Sequence, residues 1–342
     1  MFITGAQTLQ AGRSTVPCAK VVILLSTYNG ERFLPAQLTS FLDQTHEDWL
    51  LYWRDDGSVD GSVQIMRDFV AKAGAERCIE SPSSGMHLGA SPSFFTLLAE
   101  NPSAEAVAFS DQDDVWLPEK LAHALNMLSQ ADTSPTLYCA RQYRVNEKLQ
   151  GAKLSASYSK APGFPAGLTQ NIANGNTLVM NAAAATLVAG MGLPEDAIHD
   201  WWSYIVVSAC GGQVIFDETP QILYRLHGDN LIAKAQPFLK RALAAFKRGP
   251  QVYITMMHRH TNALAAHASQ LSPKAREDLR LVQSGLQGGK LRRLNALLCP
   301  RFRRRTFLEN LLFGYWFVTT APLGVKPEPA SATYMVHAGE PG

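Results

Sequence analysis

Three short apolar runs, each closed by a polar turn, constrain this chain more than any other feature. Val21-Val22-Ile23-Leu24-Leu25 leads into Ser26-Thr27-Tyr28-Asn29-Gly30. Trp49-Leu50-Leu51-Tyr52-Trp53 leads into Arg54-Asp55-Asp56-Gly57-Ser58-Val59-Asp60-Gly61. Ala106-Val107-Ala108-Phe109 leads into Ser110-Asp111-Gln112-Asp113-Asp114-Val115-Trp116. Runs apolar on both faces mark parallel strands covered by helices. Phe33, Leu34, Leu38, Phe41 and Leu42 recur at helical spacing after the first run, and Val63, Ile65, Met66, Phe69 and Val70 do so after the second. This alternation predicts a doubly wound α/β sheet. Ligands bind such sheets beyond the C-terminal ends of the strands. The three polar turns are therefore expected to meet on one edge.

The third turn holds three carboxylates within four residues, Asp111, Asp113 and Asp114. They repel one another unless a positive charge lies among them. A hard divalent cation, Mg²⁺ or Mn²⁺, takes oxygen ligands and shares them with phosphate. That makes a metal–diphosphate site one reading. The other is a solvated acidic turn in which Asp113 or Asp114 caps the helix opened by Pro118.

With 342 residues, 46% hydrophobic and 18% charged, the chain can bury a sizeable core. Its net charge of +2 conceals an asymmetry. Residues 231–310 carry 16 Lys and Arg against 3 acids, leaving 15 bases and 26 acids elsewhere. The split predicts an anionic partner for the basic region. Cys18, Cys78, Cys139, Cys210 and Cys299 form no Cys-x-x-Cys pair, which argues against a zinc or disulfide framework and for a reducing, cytoplasmic setting. No signal peptide is expected, and no run reaches the ~20 apolar residues of a membrane span.

Further strands are expected at 136–139 and 178–180, a long loop over the cleft at 151–170, and helices at 117–128, 182–189 and 198–209. Residues 214–216 and 222–224 read as a strand pair. Basic amphipathic helices are expected at 238–247, 252–269 and 273–286, followed by Arg301-Phe302-Arg303-Arg304-Arg305 and an apolar stretch at 307–318. The expected division is a nucleotide-binding domain at 20–231, a basic helical region at 232–325, and disordered ends at 1–19 and 326–342.

Taken in order with His199-Asp200-Trp201-Trp202, the three turns make residues 20–231 resemble family 2 glycosyltransferases of the GT-A fold, and among them bacterial rhamnosyltransferases that build surface polysaccharides. The resemblance implies a sheet of mixed, mostly parallel strands flanked by helices, and inverting sugar transfer from a nucleotide donor. It implies that Thr27 and Asn29 line the nucleotide pocket. Asp56 would read the base or ribose; its plain alternative is an Asx turn with Gly57 and Ser58. Asp111 and Asp113 match the family's Asp-x-Asp motif, with Asp113 a direct metal ligand and Asp111 on the nucleotide side. Asp114 would contact sugar hydroxyls or the helix terminus at Pro118. Asp200 matches the general base; its alternative is an acid favoured by a helix N-terminus. One of Trp201 and Trp202 is expected in the core and one against a sugar face. Arg225 would pair with phosphate, and His227 would bind metal or diphosphate. Residues 174–177 fall on the acceptor side.

The implied donor is dTDP-L-rhamnose, with UDP-hexoses next, and the implied acceptor is a hydroxyl of a saccharide or lipid-linked saccharide. Arg292, Arg293, Arg301, Arg303, Arg304 and Arg305 are expected to dock the protein on the anionic inner face of the bacterial inner membrane. The alternative is a helical appendage packed on the core or on a second copy. A nucleotidyltransferase would carry a glycine-rich phosphate loop with a lysine, which Ser26 to Gly30 lacks. A nucleic-acid partner is not expected, because the basic stretch holds no groove-binding or stacking motif.

Overall fold

The computed structural model describes residues 20–101, 103–131, 134–158, 163–228 and 250–320. The disorder expected at the two ends, the helix expected at 238–247 and the boundary at 231–232 lie outside these residues.

The elements follow as β1 (Val21–Thr27), α1 (Leu34–Leu42), β2 (Trp49–Asp55), α2 (Ser62–Ala73), β3 (Cys78–Glu80), α3 (Ala90–Ala99), β4 (Ala106–Ser110), β5 (Val115–Trp116), α4 (Lys120–Ser129), β6 (Thr136–Ala140), β7 (Tyr143–Val145) and β8 (Lys153–Leu154). Then come β9 (Val179–Asn181), α5 (Ala182–Gly190), α6 (His199–Ala209), β10 (Gln213–Asp217), β11 (Ile222–Arg225), α7 (Gln251–Ala266), α8 (Pro273–Gln287), α9 (Lys290–Leu297) and α10 (Phe307–Thr319).

Seven strands form the main sheet in the order β10-β6-β9-β4-β1-β2-β3. Only β9 runs against the others. Because β4, β1 and β2 are adjacent and parallel, the three polar turns emerge side by side on one edge, as expected. Alternation along β1 divides the core. Val21, Ile23 and Leu25 pack with Leu34, Phe41, Met66 and Leu121 from α1, α2 and α4. Val22 and Leu24 share the opposite cluster with Phe94, Val188 and Ile205 from α3, α5 and α6. That cluster continues through Met257, Val282, Phe313 and Phe317, so the C-terminal helices lie on the same core as α6. Phe317 is fully buried, and truncating such a side chain to alanine costs about 3–5 kcal/mol.

The expected strand pair does not form. β10 lies parallel to β6 in the main sheet, and Tyr138 Oη donates to Asp217 Oδ2 at 3.0 Å at its end. β11 joins a second sheet, ordered β5-β11-β7-β8. A strand's apolar pattern reports its buried faces, not its partner. The consequence is functional: β11 runs antiparallel to β5, the two residues that follow the acidic turn.

Arg293 also departs from expectation. It is 1% exposed and donates to the Phe317 carbonyl at 2.6 Å, to the Leu286 carbonyl at 3.3 Å and to the Thr320 carbonyl. It fastens the end of α10 to α8 and is withdrawn from any surface.

Candidate active site

Hydrogen bonds between side chains and main chain lace the three turns together. Asn29 sits in the left-handed region at φ 46°. Its amide donates to Ser58 Oγ at 2.9 Å, and its Oδ1 accepts from Val59 N at 2.9 Å. The Gln112 carboxamide accepts from Tyr28 N at 2.8 Å and donates to Tyr28 O at 2.9 Å. Gly30 leaves room for this amide: a Cβ there would lie 2.3 Å from Gln112 Oε1 and would displace it. Thr27 is buried, and its hydroxyl donates to Asp55 Oδ1 at 3.0 Å.

The Asx turn belongs to Asp55 rather than Asp56: Asp55 Oδ2 accepts from Gly57 N at 2.9 Å and Ser58 N at 2.7 Å. Asp56 is buried and grips the loop at 81–89. It accepts from Leu88 N, Gly89 N, Ser93 Oγ and Arg54 Nη1 at 2.7–3.0 Å. Burial pushes its pKa up, but the Leu88 amide, Arg54 and the Gly89 amide outweigh it and hold the carboxylate below its usual range. Beside it the Tyr28 and His87 rings stand 4.9 Å apart. Tyr28 is 47% exposed, so the pair offers an open platform. His87 escaped the sequence reading, since a histidine in a Gly/Ser-rich loop carries no signal of its own.

One carboxylate oxygen from each of Asp111, Asp113 and Asp114 lies within 4.8 Å of the others. Their roles differ. Asp114 is fully buried; its oxygens accept from Arg225 N at 3.0 Å and Asn176 Nδ2 at 2.6 Å. Burial, then Asp113 and Asp111, push its pKa well up. Neither Asp113 nor Asp114 caps α4, which has no side-chain cap. Asp113 Oδ2 stands 2.7 Å from His227 Nε2, and the His227 ring packs on Phe33 with centroids 4.7 Å apart. Arg225 donates from Nε to the Asp113 carbonyl at 2.8 Å and from Nη1 to the Glu147 carbonyl. The Asp111 carboxylate accepts no hydrogen bond among the described residues, its carbonyl only that of Ser110 Oγ. Burial, then Asp113 and Asp200, raise its pKa to about 8. An unpartnered acid beside an acid–imidazole pair suits a hard divalent cation, with Asp111, Asp113 and His227 as its donors.

Asp200 lies in the first turn of α6, one residue past the helix start, while Ile198 occupies the cap position. Its Oδ2 accepts from Gly175 N at 2.7 Å, and its Oδ1 from Asn171 Nδ2 at 3.1 Å and Trp201 N at 2.5 Å. Burial raises its pKa to about 6 against the pull of these donors. Gly175 and Asn176 are consecutive, so one tight turn holds both the Asp200 carboxylate and Asp114 of the acid cluster. His199 is buried and stacks on Phe94 at 4.3 Å; burial pushes its pKa down to about 3, and the ring stays neutral. Both tryptophans belong to the core, so the ring expected against a sugar face is not on the surface. Trp201 Nε1 donates to the Gly167 carbonyl at 2.6 Å, Trp202 Nε1 to the Gly192 carbonyl at 2.5 Å, and both rings are buried. A paired aromatic at a helix start reads the same whether it faces core or cleft.

The structure thus brings Asp111, Asp113, His227 and Asp200 into one electrostatic neighbourhood, with Thr27, Asn29 and Asp56 on the adjoining turns. An acid cluster with a buried, raised carboxylate beside it, on the C-terminal edge of a mostly parallel sheet, is the arrangement expected of a nucleotide-sugar transferase of GT-A type. Residues 22–183 match the family model Glycosyl transferase family 2, which makes that segment a family 2 glycosyltransferase domain. It is related to rhamnosyl transferases. The dTDP-rhamnosyl transferase RfbG of Shigella flexneri is 25% identical over 217 residues, covering 61% of this chain and 73% of that protein. The UDP-Glc:alpha-D-GlcNAc-diphosphoundecaprenol beta-1,3-glucosyltransferase WfgD of Escherichia coli is 30% identical over 108 residues, covering 32% of this chain and 40% of that protein. Among solved structures, residues 1–349 of S. aureus TarS with UDP-GlcNAc align at 15% identity and a TM-score of 0.49, covering 83% of this chain and 88% of that one.

Proposed function

We propose that this glycosyltransferase moves L-rhamnose, with inversion, from dTDP-L-rhamnose to a hydroxyl of a lipid-linked saccharide during bacterial surface polysaccharide synthesis. The observation that carries the reading is the raised Asp200 carboxylate set beside the Asp111–Asp113–His227 donor set. Residues 20–231 serve as the catalytic unit, and the part from 232 to 325 addresses the acceptor. The donor follows the rhamnosyl transferase named above, and UDP-hexoses are the alternative. The lipid-linked acceptor follows the name of the E. coli glucosyltransferase.

In this reading Asp111, Asp113 and His227 hold Mg²⁺ or Mn²⁺. The bound ion supplies charge stabilisation to the departing nucleoside diphosphate. Asp200 accepts the acceptor hydroxyl proton while that oxygen attacks the anomeric carbon opposite the leaving group. Gly175 and Asn171 keep its carboxylate aimed. Asn29 and the Tyr28–His87 platform receive the nucleotide. Asp56 and Thr27 act through the loop and turn they hold, because their polar atoms already have protein partners. Arg225 likewise works by holding the Asp113 carbonyl and the Asp114 carboxylate in place.

Membrane docking at the inner leaflet belongs to the same proposal. No helix among the described residues is long and apolar enough to cross a membrane. Yet α9 and α10 leave Leu291, Leu298, Phe307 and Leu308 58–83% exposed. The exposed Arg292 borders them, and a basic residue near an anionic bilayer contributes about 1 kcal/mol.

A screen of sugar nucleotides for hydrolysis and transfer, with and without Mn²⁺, tests the reading. dTDP-L-rhamnose should turn over with Mn²⁺ in the wild type and fail in Asp113→Ala. No turnover of any sugar nucleotide, or full turnover in Asp113→Ala, would overturn it.

A further inference from the structure

One cavity among the described residues lies away from the acid cluster. It encloses about 870 Å³ and is lined by Lys274, Arg301, Arg303, Arg304, Arg305 and Tyr158, among others. None of Asp111, Asp113, His227 or Asn29 lines it. Its volume falls in the range of small-molecule sites. Five cations face one carboxylate there, Asp278.

The cations are not equally engaged. Arg301 Nη2 pairs with Asp278 at 2.6 Å, and Lys274 with Glu277 at 3.1 Å. Arg304 Nη1 donates to the Thr169 carbonyl. The Arg305 guanidinium stands 5.3 Å from the Tyr158 ring centroid. Arg303 makes no side-chain hydrogen bond among the described residues. Arg303 and Arg305 therefore keep guanidinium donors for a ligand, and guanidinium groups match phosphate oxygens in pairs.

One strand of chain separates this cavity from the proposed base. Thr169 O accepts from Arg304. Gln170 Oε1 accepts from Arg305 N at 3.1 Å, and its Nε2 donates to Tyr158 Oη at 2.9 Å. Asn171, the next residue, donates to Asp200 Oδ1. Consecutive residues thus carry the arginine cavity on one side and the catalytic carboxylate on the other. On the far side α10 begins at Phe307, directly after the arginine run, and leaves Phe307, Leu308, Leu311 and Tyr315 55–78% exposed.

We propose that this cavity binds the diphosphate of a prenyl-diphosphate-linked acceptor, through Arg303 and Arg305. The proposal rests on the glycosyltransferase reading above. The prenyl chain leaves along the apolar face of α10, and the saccharide crosses the 169–171 segment to reach Asp200. The cavity thereby selects an acceptor by its phosphate handle, apart from the sugar it presents.

Geranyl diphosphate in EDTA is the probe, since chelation keeps a divalent cation from offering a second diphosphate site at the acid cluster. Titration calorimetry should show binding to the wild type and not of geraniol. Inorganic pyrophosphate should compete. The Arg303→Ala/Arg305→Ala variant should bind at least about tenfold more weakly, and Arg303→Lys/Arg305→Lys should recover part of the loss. The Ala variant should keep the wild-type melting temperature and Mn²⁺-dependent donor hydrolysis. Equal binding in wild type and Ala variant, or none in either, overturns the proposal. So does a variant effect seen on phosphatidylglycerol vesicles that pyrophosphate does not compete, since that assigns the arginines to the lipid surface. Donor hydrolysis that survives while geranyl diphosphate binding fails discards the cavity alone; loss of donor hydrolysis in the wild type discards the parent reading.

Discussion

His227 Nε2 lies 2.7 Å from Asp113 Oδ2, across 114 positions of sequence. The pairing of β11 with β5 makes this contact. Ile222 sits opposite Trp116 and Leu223 opposite Val115, so the chain leaving β11 runs back over the acidic turn. Arg225 then clamps the Asp113 carbonyl and the Asp114 carboxylate, which leaves His227 facing Asp113. An imidazole beside a carboxylate is half of a cation site, and Asp111 supplies a carboxylate that accepts no hydrogen bond among the described residues.

His227→Ala should weaken Mn²⁺ binding about 10- to 100-fold, measured by Mn²⁺ paramagnetic resonance titration. A change under about twofold would reduce His227 to a packing partner of Phe33.

Burial first, and then the neighbouring acids, disfavour the ionised form of Asp111. Its pKa rises from 3.8 to about 8 on folding. A carboxyl raised in the fold contributes stability that is present below its unfolded pKa and is lost as pH climbs from about 4 to about 8. Asp111→Asn should therefore melt a few degrees higher than wild type at pH 7.5 in EDTA and gain nothing from Mn²⁺. A lower melting temperature in EDTA would show that the acid is held by contacts rather than strained by its neighbours.

Transfer should follow the ionisation of Asp200. The base must be deprotonated to accept a proton, and burial sets its pKa at about 6. At saturating donor, the rate should fall about tenfold per pH unit below pH 6 and level off above it. An acid limb in the ordinary carboxylate range near pH 4 would separate the rate from this residue.

Gly30→Ala places a Cβ against Gln112 Oε1 and breaks the two bonds to Tyr28. Donor affinity should drop about 5- to 10-fold, and Gln112→Ala should do nearly the same. Because both act on one contact, the double variant should be no worse than the poorer single. Additive losses by calorimetry would show that the first and third turns are not coupled through that amide.

The sequence made the edge legible because each turn directly follows its own apolar run. Local order was enough to put Thr27, Asp56 and Asp111 on one edge of the sheet, though not to show that their strands are neighbours. What depended on distant pairing was not legible. The alternation at 222–224 shows a strand but not that it joins β5, so His227 could be named only by resemblance. Asp55 and Asp56 are neighbours with the same chemistry, and only the 81–89 loop distinguishes the turn former from the loop holder. Arg293 looks like its exposed neighbour Arg292 until α10 folds over it. The arginine cavity is a product of α8, the 163–171 segment and the 301–305 run meeting, and no one of them announces it.

The central claim is that Asp200 deprotonates the acceptor beside a cation site that serves the donor. Asp200→Asn tests it most directly, with Mn²⁺-dependent donor binding and sugar transfer measured on the same preparation. Donor binding should stay at the wild-type level while transfer falls about 10²- to 10⁴-fold. Transfer at the wild-type rate would contradict the account and assign the base to another residue.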